Sequence, residues 1–94
     1  MLTTKQKSKL KSLAMTKRPI FQVGKEGISN NLIIGLNDAL EAHELIKISV
    51  LKNCSSNINE IAFDIASNTN SEIVQIIGRN IVLYRKSKKQ LIEL

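Results

Sequence analysis

Apolar residues along the chain fall into two alternating rhythms. Leu10, Leu13 and Ala14 share one helical face, flanked by Lys5, Lys7, Lys9 and Lys11. Thr3 and Gln6 have capping-box spacing, which starts that helix at Thr3. Pro19 stops it, because the residue before a proline is pushed out of the α region. "PIFQV" is a short β-rich run that fits a strand. Ser29 then caps a second helix carrying Leu32, Leu36, Ala39, Leu40 and His43 at helical spacing. In "ELIKISVLK", Ile46, Ile48 and Val50 alternate with Lys47 and Ser49, as in a strand with one buried face. Asn57 with Glu60 marks another cap, and Ile58, Ile61, Ala62, Ile65 and Ala66 form a clean amphipathic stripe. Phe63 falls in the same helix, where core packing is the default expectation. "EIVQIIGRNIVLYRK" divides into two β-rich runs at Gly78, Arg79 and Asn80, the pattern of a hairpin. The tail "SKKQLIEL" reads as a frayed helical turn.

The predicted order is α-β-α-β-α-β-β. Each strand-helix-strand connection implies parallel strands joined by a right-handed crossover. Two such crossovers in one direction put both helices on one face, and the final hairpin adds an antiparallel strand. The expectation is an α/β two-layer sandwich on a four-stranded mixed sheet. With 94 residues, no internal repeat and no linker, residues 1–94 read as a single domain.

Composition sharpens the class. Apolar residues make up 43% and charged residues 23%, a globular balance. No apolar run approaches the roughly 18 residues of a membrane helix, and "MLTTKQKSKL" lacks the apolar core of a signal peptide. Cys54 is the only cysteine, so no internal disulfide asks for an oxidising compartment. A soluble cytoplasmic protein with no membrane contact is expected.

The net charge of +6 is unevenly placed. Residues 1–25 hold seven Lys or Arg and no acid, whereas residues 26–78 hold seven acids against Lys47 and Lys52. Residues 79–94 return to Arg79, Arg85, Lys86, Lys88 and Lys89 against Glu93. Basic ends around an acidic middle make a directed field, which suits a polyanion. The plain alternative is that lysine-rich ends keep a small domain in solution.

Catalytic constellations are missing from the pattern. His43 is the only histidine, and "HELIK" lacks the second histidine of a zinc-binding HExxH helix. Cys54 has no visible base partner and reads as an inert thiol. "GKEGIS" does not have the spacing of a nucleotide-wrapping phosphate loop. The acids of the middle segment stand singly. No enzyme activity, cofactor, metal or small-molecule substrate is expected.

Binding is better represented. Gly24 and Gly27 flank Lys25 and Glu26 immediately before a helix N-terminus. Two glycines there let a backbone approach, and the helix start offers N–H groups and partial positive charge to a phosphate. A G-x-x-G loop clamps the nucleic-acid backbone in KH domains. Lys17 and Arg18 lie just upstream. Only Phe21, Phe63 and Tyr84 are aromatic, so recognition would rest on phosphates, 2′-hydroxyls and shape, with Tyr84 at most one stacking site.

Taken in order, "LTTKQKSKLKSLA", "PIFQVGKEGIS", "ALEAHELIKI" and "IVQIIGRNIVLYRK" resemble the CRM domain (chloroplast RNA splicing and ribosome maturation), above all its free-standing bacterial YhbY type. The resemblance spans nearly the whole chain. It implies a fold like the C-terminal domain of initiation factor three, preceded by an extra helix, with the last strand inserted antiparallel between its neighbours. It further implies RNA binding and association with precursors of the large ribosomal subunit. The family's loop maps onto Gly24, Lys25, Glu26 and Gly27, and its basic surface onto the lysines of the first helix and onto Arg79 and Arg85.

The expected site is therefore Gly24, Lys25, Glu26 and Gly27, widened by Lys5, Lys9, Lys11, Lys17, Arg18, Arg79 and Arg85 into one continuous electropositive surface on a monomer. Replacing Gly27 with Val is expected to lower affinity while leaving the melting temperature near wild type. A protein-protein adaptor whose basic ends dock on an acidic ribosomal or translation partner stays open as the alternative.

Overall fold

A computed structural model describes residues 2–54 and 57–92. Thr3 opens the first helix, α1 (Thr4–Ala14), through a reciprocal capping box. Its hydroxyl accepts from the Gln6 N–H at 3.1 Å, and its own N–H donates to Gln6 Oε1 at 3.0 Å. Such a cap is worth about 1 kcal/mol. The other elements follow in the expected order: β1 (Phe21–Val23), α2 (Asn30–His43), β2 (Leu45–Val50), α3 (Ile58–Thr69), β3 (Glu72–Ile77) and β4 (Asn80–Tyr84). Ser29 caps α2 and Asn57 caps α3, each accepting a backbone N–H of the first turn. The C-terminal segment from Ser87 is not helical among its described residues; it makes one turn closed by Gln90 N–H to Ser87 O at 3.2 Å.

The sheet order is β1-β2-β4-β3. β1 runs parallel to β2, and β4 lies antiparallel between β2 and β3, as the family resemblance implied. Strand periodicity could not supply that order, since a hairpin strand pairs equally well at a free edge. Burial explains it. Ile81, Val82, Leu83 and Tyr84 are all buried, so β4 is covered on both faces and belongs in the middle of the sheet.

On the inner face, Val23, Ile46, Ile48, Val50, Ile81 and Leu83 pack against Leu36 and Leu40 of α2 and Ile61, Ala62 and Ile65 of α3. This is the two-layer sandwich. On the outer face, Leu10 and Ala14 of α1 cover Leu45, Val74, Val82 and Tyr84. Full burial of each large aliphatic side chain contributes roughly 1.5–3 kcal/mol, so the inner cluster dominates stability. Gly35 lets α2 come down on β1: a Cβ there would stand 3.0 Å from Phe21 Cε1. That contact fixes the start of α2, and with it the loop that leads in.

Candidate nucleic-acid interface

The Gly24–Gly27 segment is a tight turn closed by Gly27 N–H to Gly24 O at 3.0 Å. Gly27 adopts φ of 72°, and nothing lies within 4 Å of where its Cβ would be. Lys25 and Glu26 are exposed at the tip, and the capped N-terminus of α2 follows two residues after the turn. The turn is thus open to solvent and backed by a helix start. Its positive φ changes one expectation: valine is strained at position 27, so Gly27→Val should lower stability rather than leave the melting temperature near wild type.

Parallel pairing determines what else reaches this end. Val23 is in register with Val50, and Leu51 N–H donates to Val23 O at 2.8 Å. A Cβ on Gly24 would be 3.5 Å from Leu51 Cδ1 and 3.8 Å from Asn53 Oδ1. The hairpin closes over the same point, where Arg79 Nε donates to Val50 O at 2.7 Å and Nη2 to Leu51 O at 2.6 Å. Arg79 therefore stands beside the turn, exposed but anchored. Lys52, between Leu51 and Asn53, is exposed at the same end and is not among the residues expected at the site. Recognising it takes only the inference that parallel strands bring their carboxyl ends together.

The remaining cations line other parts of the surface. Lys17 and Arg18 line a separate cleft with His43 and Leu45, at the amino end of β1 and β2. Lys11 lies over the outer sheet face with Lys47. Lys5 and Lys9 are exposed on α1, whose start is tied toward β3 by Leu2 N–H to Glu72 Oε1 at 3.2 Å. Lys47 lines both clefts, so Lys11, Lys17 and Arg18 adjoin one another, while Lys25 lines a different one with Gly24 and Gly27.

Arg85 stands in different surroundings from the other expected cations. It stands past the end of β4 remote from the hairpin, with its side chain only 22% exposed. Nη1 donates to Asn37 Oδ1 at 2.7 Å and Thr69 O at 2.8 Å, and Nη2 to Asn37 O at 3.0 Å. Glu41 adds an ion pair at 3.6 Å. The guanidinium joins α2, α3 and β4 and has little left for a phosphate. Two aromatic expectations also change. Tyr84 is buried in the outer cluster, which removes it as a stacking site, and Phe63 is 66% exposed rather than in the core.

The same end holds a buried carboxylate. Glu44 caps α2 at φ of 65° and is fully buried. Its Oε2 accepts from both the N–H and the hydroxyl of Ser87 at 2.7 Å, and Oε1 from the Ile92 N–H at 2.7 Å. Burial by itself raises its pKa, but the hydrogen bonds from Ser87, Ile92 and Leu91 together outweigh that and hold it below the ordinary value. Tyr84 is pushed up, by burial first and then by the charges of Glu44 and Glu72.

A family model described as the CRS1 / YhbY (CRM) domain matches residues 2–85. The chain is 51% identical over 89 residues to a Bacillus subtilis protein named "Probable RNA-binding protein YqeI", covering 95% of this chain and 93% of that one. It is 37% identical over 93 residues to a Haemophilus influenzae protein named "RNA-binding protein", covering 99% and 94%. Among solved structures, the solution structure of the Staphylococcus aureus hypothetical protein SAV1595 superposes with a TM-score of 0.80 at 51% identity, over 94% of this chain and 92% of that one.

Proposed function

The chain belongs to the CRS1 / YhbY (CRM) domain family, and from that premise we propose that it binds RNA through the Gly24–Gly27 turn and the cations at that end of the sheet. The carrying observation is the turn itself: an open glycine backbone at a capped helix start, with Lys25 at its tip and Arg79 held alongside. In this reading the N–H groups and Lys25 meet phosphate, while Arg79 and Lys52 extend the contact. Lys5, Lys9, Lys11, Lys17 and Arg18 add long-range attraction, and Glu26 makes no phosphate contact. The two similar proteins named for RNA binding support the ligand class.

The partner is ribosomal RNA in precursors of the large subunit, and the role is that of a monomeric assembly factor acting in the cytoplasm. Two measurements test this. Affinity for single-stranded RNA should fall with log salt at a slope of about −0.7 per phosphate neutralised. Co-sedimentation with pre-ribosomal particles should vanish on complete RNase digestion. Persistence after digestion would point instead to docking on a protein.

A further inference from the structure

On the outer face of the sheet, between the last turn of α1 and the β3–β4 hairpin, lies an open cavity of about 250 Å³. Its floor is apolar. Ala14 and Val82 are buried there, while Met15 and Ile77 are 82% and 55% exposed at its edge. Two amides, Gln75 and Asn80, line it from neighbouring strands. Both residues are half-buried, and among the described residues neither side chain has a hydrogen-bond partner. Lys11 from α1 and Lys47 from β2 complete the lining, which includes no acid among the described residues.

Each part matches one part of a nucleotide. A nucleobase offers an apolar face, for which the polarizable thioether of Met15 is a suitable surface. Its edge carries donors and acceptors, and a side-chain amide presents both, with adenine the base that asparagine and glutamine pair with in bidentate fashion. The two ammonium groups suit the phosphates on either side. Ile77 and Asn80 bracket Gly78 and Arg79, and Arg79 holds the end of β2 against which the Gly24–Gly27 turn rests, so the hairpin joins the two places.

We propose that this cavity is a nucleobase site, taking one unstacked base of a single-stranded RNA, adenine by preference, with the adjoining phosphates on Lys11 and Lys47. The inference rests on the RNA-binding function proposed above and adds to it a place where bases, rather than backbone, are held.

Fluorescence anisotropy with a labelled oligoadenylate and an abasic ribose-phosphate oligomer of equal length tests it. Wild type should bind the oligoadenylate about tenfold more tightly, roughly the worth of the two amide hydrogen bonds. The double substitution Gln75→Ala with Asn80→Ala should erase that margin and leave the abasic affinity unchanged. Should that variant melt early, Met15→Ser removes part of the floor at an exposed position and should shrink the same margin. Equal affinity of wild type for the two oligomers, or a margin that survives these substitutions in folded protein, overturns the base site. Salt-sensitive binding of both oligomers without a margin leaves the backbone reading standing, whereas binding of neither removes both.

Discussion

Arg79 and Arg85 flank the same strand, β4, and the sequence gives them equal claim to a phosphate. The fold separates them. Arg79 stands exposed by the open glycine turn, its guanidinium donating to the carbonyls of Val50 and Leu51 among the described residues. Arg85 is enclosed at the other end, where Asn37, Thr69 and Glu41 take up its guanidinium and Glu44 holds the following segment through Ser87 and Ile92. Beside the turn the guanidinium stays available to a ligand, whereas Arg85 is paired internally, although Lys17 and Arg18 stand exposed in the cleft at that same end. A positive charge in a sequence therefore says little about binding until its hydrogen-bond partners are known.

Substitutions at the paired end should have the largest effects, on stability. Glu44→Ala leaves the donors of Ser87 and Ile92 without their acceptor, and should cost about 3–5 kcal/mol in urea unfolding. Arg85→Ala should cost about 2–3 kcal/mol, and Arg85→Lys should recover little because one ammonium cannot reproduce the forked contacts. RNA affinity of the folded Arg85 variant should match wild type. A clear affinity loss at unchanged stability would break the comparison.

Acid sharpens it further. The Glu44 carboxyl titrates below its reference value of 4.5, so its contribution is whole above that pH and is lost as pH falls through the lower folded value. Unfolding midpoints followed from neutral pH into acid should drop less steeply in Glu44→Gln than in wild type.

At the open end the effects on stability shrink and those on binding take over. Gly27→Val should cost about 1–2 kcal/mol for the positive φ alone, whereas Gly27→Asn, which tolerates that region, should keep most of the stability while obstructing phosphate approach. Lys25→Ala should leave the melting temperature unchanged and reduce the salt slope by about 0.7, the loss of one phosphate contact.

Much of the fold was legible because local signals and tertiary demands agreed. Thr3, Ser29 and Asn57 cap the helices as their spacing indicated, and the stripe on α3 faces the sheet. The place of β4 was not visible to periodicity, because burial on both faces only says "interior" and leaves its neighbours open. Phe63 defeated the default for an aromatic in an amphipathic helix: Ile61, Ala62 and Ile65 fill the inner face, and position 63 points outward. The glycine turn could be read directly, since its chemistry is local. The cations could not, because Arg85 is taken up by residues 16 to 48 positions away, and no charge count records such partners.

The most direct test is a titration of isotope-labelled protein with short single-stranded RNA, followed through backbone amide NMR shifts. The shifts should concentrate at Gly24–Gly27, Lys52 and Arg79, extend to Gln75 and Asn80 where a base is held, and leave Arg85, Ser87 and Ile92 in place. Shifts centred on the Glu44–Arg85 end, with the glycine turn silent, would contradict the account.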